Sequence, residues 1–291
     1  QSPKKVRYTD SDVVAMKHAL EFVTKEGIDP YAMGTLVRTA SASLQRLALQ
    51  QVEGLIQDIA RTQNVTDTQA RMIAGEIAPS QAAQLQPLID HIWRRQYAEA
   101  VRTLTTTAIA QRGFSTDDRD FPLVRAVGFA DLVDFTERTK DTSAHEFNAL
   151  IRDFTDVCWD IVNSRGGRII SFLGDAVFFV ADDIKTGVEV SLGLSEHGQT
   201  GMCGPVRVGL VWTRVLKANG DVFGPGVNLV SRITRAATPN EVFIDDSLAE
   251  RLARNPDYSI VEEPAFDARG IGWVQPFRIR YADDPRNQED E

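Results

Sequence analysis

The sequence predicts an α+β protein, in which an all-helical N-terminal domain precedes a mixed sheet with helices packed on it. Up to about residue 112, apolar residues recur at helical spacing and strand patterns are absent. After Pro122, short runs rich in Val, Ile and Phe alternate with helical stretches. The predicted boundaries are 1–112 for the helical domain, 113–121 for a polar linker, 122–283 for the mixed-sheet domain and 284–291 for an acidic tail.

The helical domain carries recognisable start and stop signals. Gly27 ends the first apolar run, and Asp29 before Pro30 has the form of a helix cap followed by a first-turn proline. Two further apolar stripes run through residues 44–59 and 93–108. These patterns predict a helical bundle or arm, and none of them indicates chemistry.

The second domain is predicted to follow the order β-α-ββ-α-β-α-β. A first strand occupies residues 123–130, and Ser143 with Glu146 forms a capping box before an amphipathic helix. Gly174-Asp175 separates two short apolar runs and predicts a two-residue hairpin turn. Strand and helix patterns then alternate. The acidic residues from Asp283 onward predict a disordered tail.

Composition excludes several classes of protein. The 291 residues are 43% hydrophobic and carry a net charge of −9, which disfavours nucleic-acid binding because that requires a basic face. Cys158 and Cys203 fit neither a zinc site nor a disulfide framework, and Cys158 is predicted to be a core residue. No apolar run is long enough to span a bilayer. We therefore expect a cytoplasmic protein without a transmembrane segment.

Two aspartates are the first candidate site. Asp131 ends the first strand, and Asp175 stands at the hairpin tip. If these strands are neighbours, both carboxylates project from one end of the sheet and repel each other unless cations lie between them. Mg²⁺ prefers such oxygen ligands, and two metal ions suit in-line attack at phosphorus. Each aspartate taken alone also fits a structural cap or turn.

A second group of residues also suits phosphate chemistry. Backbone amides of the loop from Asp131 to Thr136 could bind phosphate groups. Asn228 and Arg232 are four residues apart and share one face of a predicted helix. An arginine there would neutralise the charge that develops on phosphorus. A capping Asn and a surface Arg are the alternative interpretation.

Together these segments resemble the class III adenylate and guanylate cyclases. The resemblance runs from about Leu123 to Arg280 and rests on several separate blocks in the same order. The blocks are Phe129-Ala-Asp-Leu-Val-Asp-Phe-Thr136, Gly166-Gly-Arg168, Leu173-Gly-Asp-Ala-Val177, Val206-Arg-Val-Gly209, Asp221-Val-Phe-Gly224, Val227-Asn-Leu-Val-Ser-Arg232, Ala237-Thr-Pro-Asn-Glu-Val-Phe-Ile244, Arg269-Gly-Ile271 and Val274-Gln-Pro-Phe277.

The resemblance implies a ferredoxin-like catalytic domain that makes cyclic AMP from ATP, with two divalent metal ions (Mg²⁺ or Mn²⁺) as cofactors. It implies active sites shared between the two chains of a homodimer, and it places the helical domain among the regulatory domains of some actinobacterial members. The implied roles are metal binding for Asp131 and Asp175, ribose orientation for Asn228, transition-state stabilisation for Arg232, and substrate binding for Asp221, Ser171, Phe135 and Thr136.

Three positions depart from the family pattern. Ser171 stands where adenylate cyclases of the family usually have Lys, and a hydroxyl both donates and accepts, so it discriminates less between bases. Asp134 replaces a Gly of the phosphate-binding loop. Thr213 replaces the second Gly of the Arg-x-Gly-x-x-x-Gly strand and is expected to narrow a close backbone approach.

Those departures keep alternatives open. One is a degenerate cyclase that binds nucleotide or dimerises as a regulatory module. Another is a cyclase with relaxed base choice, including GTP. Diguanylate cyclases share the sheet order of this family, but the hairpin sequence Leu-Gly-Asp-Ala-Val differs from theirs.

Overall fold

The computed structural model describes residues 9–110, 123–138, 140, 142–200, 204–218 and 220–288. The chain divides into two compact units, residues 1–112 and 113–291. The predicted linker and Cys203 lie outside the described residues. In the described ranges, no helix combines the length and the apolar character that crossing a membrane requires.

The first unit is helical, as predicted. It contains helices α1 (Asp10–Glu26), α2 (Pro30–Gln63) and α3 (Asp67–Ala110). The helix end predicted at Gly27 and the helix start predicted at Asp29 are both found in the structure. Gly27 caps α1 in the left-handed region at φ 67°, and the Asp29 side chain accepts a hydrogen bond from the amide of Ala32 at the start of α2.

The second unit is built from eight-stranded and two-stranded sheets with helices, which confirms the predicted α+β class. Its first half contains β1 (Leu123–Leu132), α4 (Phe135–Arg138), α5 (Ala144–Ser164), β2 (Arg168–Leu173), β3 (Ala176–Ala181), α6 (Ile184–Thr200) and β4 (Val206–Ala218). Its second half contains β5 (Asp221–Phe223), α7 (Pro225–Ala236), β6 (Val242–Ile244), α8 (Asp246–Leu252), β7 (Tyr258–Glu262), β8 (Phe266–Ala268), β9 (Gly272–Val274) and β10 (Phe277–Tyr281).

The main sheet has the order β2-β3-β1-β4-β6-β10-β7, with β5 paired to β4, while β8 and β9 form a separate pair. Among these pairs, β4 and β6 run parallel and the others antiparallel. Successive residues of β1 enter opposite cores. Ala126 packs in the core that α5 and α6 cover, whereas Val127 packs in the core that α7 and the β8–β9 pair cover. The central strands are therefore buried on both faces.

Two details of the second unit confirm local predictions. Ser143 and Glu146 form the capping box of α5, with the Ser143 side chain accepting from the Glu146 amide. Cys158 is fully buried on the core face of the same helix, beside Phe154 and Val162. The hydrophobic stripe of α5 therefore holds the helix against the sheet that carries the candidate site.

The prediction of a disordered tail is wrong for the residues up to 288. Pro285–Gln288 forms a short 3₁₀ turn, and Arg286 reaches back to the buried carboxylate of Glu241 at 3.1 Å and to Asp284. Glu241 already pairs with Arg280 of β10, so Arg286 is its second cationic partner. Because a buried carboxylate is costly without paired positive charge, this contact holds the turn in place. The prediction of disorder was based on the acidic residues of this segment and did not consider Arg286.

Candidate active site

The structure brings Asp131 and Asp175 to the same end of neighbouring strands. Asp131 is the penultimate residue of β1, in register with Ala176 of β3. Asp175 occupies the turn between β2 and β3, and its backbone carbonyl accepts a hydrogen bond of 3.0 Å from the amide of Leu132. Gly174 adopts φ 70°, the left-handed conformation that this tight turn requires.

The two carboxylates affect each other. The pKa of the Asp131 carboxyl is raised by burial first and by the negative charge of Asp175 second. Arg207 on β4 opposes both effects, since its guanidinium lies 3.1 Å from the Asp131 carboxylate. A divalent cation between the two carboxylates would remove the repulsion, so this pair fits a metal site.

Two carboxylates are few ligands for a metal ion. In the described part of the chain, no group of three or more His, Cys, Asp or Glu side chains could hold a metal ion. Two carboxylates would leave most coordination positions of Mg²⁺ to oxygen atoms of another molecule or to water. Such open coordination is what phosphate-binding magnesium sites have.

The loop after β1 continues into the short helix α4. Phe135 is the first residue of α4, half-buried, with its ring centroid 5.5 Å from that of Phe147 on α5. This ring contact holds the start of α4 against α5. The side chain of Thr136 lies outside the described residues, so only its backbone in α4 is placed.

The predicted base-reading residues lie on different strands. Ser171 is half-buried on β2, opposite Phe178 of β3 and next to a register shift after Ile169. Asp221 is the exposed first residue of β5, and its carboxylate accepts a hydrogen bond of 2.7 Å from the amide of Val222. Their strands, β2 and β5, are not paired with each other, and among the described residues no hydrogen bond joins Ser171 to Asp221.

Asn228 and Arg232 share one face of α7, as their spacing predicts. Asn228 is exposed and Arg232 half-buried, while Val230 and Ile233 bury the other face against the sheet. Among the described residues, neither polar side chain makes a hydrogen bond or ion pair within the chain. Both are therefore presented outward, available to another molecule.

Comparison with known proteins gives several relatives that are named adenylate cyclase. No protein-family model matches the chain. Proteins named adenylate cyclase from Glutamicibacter nicotianae, Streptomyces coelicolor and Streptomyces griseus are 29%, 33% and 30% identical over 96%, 86% and 85% of this chain. The chain spans 71%, 64% and 60% of their respective lengths.

One solved structure has a similar fold over about half of the chain. The catalytic core of a rhodopsin-guanylyl cyclase with converted specificity, solved with ATPαS, superposes with a TM-score of 0.50 at 21% identity, covering 55% of this chain and 96% of that one. The chain is therefore similar in sequence to adenylate cyclases, and its fold is similar to that of a class III cyclase core. Class III cyclases are lyases.

The structure explains how Asp134 occupies a position where the class III pattern has Gly. This residue adopts φ 54°, in the left-handed region. A Gly is expected there because only Gly enters that region without cost, and Asp is among the residues that tolerate it best. The carboxylate is exposed and points out of the protein core. The substitution therefore preserves the loop conformation.

The structure also corrects the expected effect of Thr213. A β-carbon added at Gly226 would lie 2.3 Å from the Thr213 side chain. The first turn of α7 thus approaches β4 across a glycine of the helix instead of a glycine of the strand. Thr213 does not narrow the helix–strand approach, because Gly226 makes room for it.

One residue of this site was not predicted from the sequence. Arg207 is directly opposite Asp131 in the β1–β4 register and makes the ion pair described above. The sequence contains Arg207 within the Val206–Gly209 block of the resemblance, but strand register is needed to see what it faces. Register between strands distant in the chain is not readable from one sequence.

Proposed function

We propose that this chain is an adenylate cyclase that converts ATP to 3′,5′-cyclic AMP and pyrophosphate at sites shared between two copies. The observation that carries the proposal is the pairing of Asp131 with Asp175 at one end of the sheet. It occurs in a chain whose relatives, over most of its length, are named adenylate cyclase.

Asp131 and Asp175 would hold two divalent metal ions, Mg²⁺ or Mn²⁺. When bound, these ions supply Lewis acidity toward the 3′-oxygen and the phosphates. The chain itself supplies two fixed carboxylates, and the Leu132–Asp175 backbone bond keeps their strand ends together. Burial of Asp131 strengthens the attraction that a cation would feel there.

The reaction forms one bond and breaks one. The 3′-oxygen of the ribose bonds to the α-phosphorus, the bond from that phosphorus to the bridging oxygen of pyrophosphate breaks, and the 3′-hydroxyl proton passes to water. Arg232 would stabilise the charge on the pentavalent phosphorus, and Asn228 would orient the ribose. Amides of Phe135 and Thr136 would bind phosphate oxygens.

The directions in which these side chains point support a shared site. Asn228 and Arg232 face outward from α7 without a partner among the described residues, and Asp131 with Asp175 is held by contacts within one copy. A head-to-tail arrangement of two chains would place the arginine of one beside the aspartates of the other. Such a homodimer has two sites, each completed by both copies.

Base choice would depend on Asp221 and Ser171. Asp221 can accept a hydrogen bond from the adenine amino group but repels the carbonyl of guanine. Ser171 has no such preference, because its hydroxyl can donate or accept. The half-buried hydroxyl of Ser171 therefore favours one second candidate, a cyclase that also accepts GTP.

Beyond the reaction, we propose that the helical unit regulates the catalytic unit and that the enzyme works in the cytoplasm, where ATP is made available to it. Cyclic AMP is a diffusible product, so the proposed biological role is signal transduction.

The deciding experiment is turnover of ATP, and separately of GTP, by the purified chain with Mg²⁺ or Mn²⁺, scored for cyclic product. Asp175→Ala serves as the blank. We expect cyclic AMP from the wild type and none above background from the variant. Binding of triphosphate without any cyclic product would replace the proposal with the degenerate module, and equal rates for both triphosphates would replace it with the relaxed cyclase.

A further inference from the structure

Arg207 holds the carboxylate of Asp131 at one oxygen only. Its Nη2 donates to Oδ2 of Asp131 at 3.1 Å, and no other described residue forms a hydrogen bond with that carboxylate. Arg280 instead binds Glu241 through two bonds, of 3.0 Å from Nε and 2.7 Å from Nη2. A two-point contact of this kind fixes both oxygens of a carboxylate. The single contact therefore leaves Oδ1 of Asp131 available to another ligand.

The guanidinium of Arg207 is only partly satisfied. Its Nε is buried and has no hydrogen-bond acceptor among the described residues. A buried donor without an acceptor costs free energy, and a two-point contact with Asp131 would have avoided that cost. The arginine is thus held where its positive charge acts on Asp131 while the carboxylate stays open on one side.

The charges at this end of the sheet are incompletely balanced. Arg207 supplies one positive charge against the two carboxylates of Asp131 and Asp175. The side chain of Asp175 makes no hydrogen bond or ion pair with any residue that the structure describes, so the arginine serves one carboxylate and not the other. A positive charge beside a carboxylate weakens its attraction for a divalent cation, because the two cations repel each other across a short distance.

We propose that Arg207 is a positioning residue that acts as the resident counter-cation of Asp131. It holds Oδ2 while the pair of aspartates carries no metal ion, and it gives way when a divalent ion binds. The charge of Arg207 keeps metal affinity low in the free enzyme, so loading depends on the negative charge that the triphosphate brings. This inference rests on the proposed function, which assigns Asp131 and Asp175 as the metal ligands.

A purely structural arginine would make the same contact, and the two roles differ in sign. If Arg207 only fixed the Asp131 side chain, removing its charge would loosen a metal ligand and weaken metal binding. If Arg207 competes with the metal ion for Asp131, removing its charge strengthens metal binding. The direction of the change therefore distinguishes the two roles.

Binding of Mn²⁺ alone to the full chain, without nucleotide, measures that direction. Free Mn²⁺ is followed by electron paramagnetic resonance in titrations of wild type, Arg207→Gln, Arg207→Lys and the control Arg278→Gln. Arg278 on β10 makes a comparable ion pair, 2.8 Å from Glu263, in another part of the sheet. Asp175→Ala defines which part of the bound Mn²⁺ belongs to the two aspartates. Circular dichroism with and without Mn²⁺ shows whether each variant is folded.

Arg207→Gln keeps an amide donor for Asp131 and removes the charge, so its dissociation constant for Mn²⁺ should fall roughly three- to tenfold. Arg207→Lys keeps the charge, and it should bind Mn²⁺ like wild type and Arg278→Gln.

Unchanged or weaker binding by Arg207→Gln, in a series where Asp175→Ala loses the site, would overturn the role of Arg207 and leave the proposed function standing. An Arg207→Gln chain that is unfolded both with and without Mn²⁺ would also overturn it, since the arginine would then be needed for more than its charge. Wild-type Mn²⁺ binding by Asp175→Ala would instead overturn the metal site of the proposed function, and this inference with it.

Discussion

At the scale of single residues, the site is defined by which charges have partners. Asp131 has Arg207 at 3.1 Å, whereas the carboxylate of Asp221 and the guanidinium of Arg232 face outward. A charge that already has a partner costs less to keep in place, and an outward charge is free to meet a ligand. The outward residues are therefore where substitutions should change substrate handling without changing the fold.

Asp221→Ala is predicted to lower kcat/KM for ATP by about 10- to 100-fold, since losing one hydrogen bond to a base costs roughly 1–3 kcal/mol. The ratio of ATP to GTP turnover should fall with it. Steady-state rates with both triphosphates measure the effect. Asp267→Ala, an exposed strand aspartate on β8, is the matched control. An unchanged ratio would remove Asp221 from base recognition.

Asp245 is predicted to make stability depend on pH. It caps α8 through the amide of Leu248, and burial, followed by the charge of Asp246, raises its pKa from 3.8 to about 6. The folded protein therefore holds this proton more tightly than the unfolded chain. Its contribution to the free energy of unfolding is fully present below about pH 4 and is lost as the pH rises through 6.

Asp245→Asn retains the capping oxygen and removes the titration. Relative to wild type, the variant should gain stability between about pH 4 and pH 7, by up to ~3 kcal/mol. Urea unfolding at both ends of that range gives the difference, with Asp257→Asn on the surface as control. A variant whose stability tracks the wild type at every pH would show that Asp245 is ionised without penalty.

At the scale of elements, helix α7 is seated by the contact between Gly226 and Thr213. Gly226→Ala would force the first turn of α7 away from β4, because the added carbon would lie 2.3 Å from Thr213. We expect a loss of 1–3 kcal/mol in stability and at least tenfold in kcat, since Asn228 and Arg232 move with the helix. Circular dichroism and cyclase assays measure the two losses.

The same contact supplies its own control. Thr213→Gly in the Gly226→Ala background removes all three Thr213 side-chain atoms that approach the added carbon, including the β-carbon at 2.5 Å. Most of the lost activity should return in that double variant, and Thr213→Gly alone should cost only the roughly 0.5–1 kcal/mol expected of a glycine inside a strand. No recovery would mean that the helix is positioned by something else.

The C-terminal turn, Pro285–Gln288, is held to the rest of the unit by the side chain of Arg286. Arg286→Ala should lower the free energy of unfolding by about 1–2 kcal/mol, because Glu241 is 7% exposed and loses one of its two cationic partners. Thermal unfolding checks this, with Arg254→Ala as an exposed control. Equal stability of the two variants would show that the turn contributes nothing.

Local signals were readable from the sequence, and contacts between distant segments were not. The caps at Asp29 and Ser143 and the turn at Gly174 depend on a few adjacent residues, and each forms as predicted. The Arg207–Asp131 pair and the Arg286–Glu241 pair join residues 76 and 45 positions apart. Such pairs depend on strand register and burial, which a single sequence does not determine.

At the scale of the whole molecule, the proposed shared site predicts that two inactive chains restore activity together. Asp175→Ala and Arg232→Ala are each expected to abolish turnover, and an equal mixture should recover about a quarter of wild-type activity, since half the dimers carry one intact site. Co-expression with distinct tags and purification of mixed dimers makes the test. Silent mixed dimers would count against a site built from two copies.

The fit between Thr213 and Gly226 also limits how this chain can change over evolutionary time. A side chain at position 226 is harmful while Thr213 is present, and it becomes acceptable once residue 213 is a glycine, because the Thr213 β-carbon by itself lies 2.5 Å from the added carbon. The two substitutions therefore have an order: the strand residue must shrink before the helix residue can grow. Scoring Thr213 by itself against the family pattern would count a defect, although Thr213 and Gly226 together make one intact contact.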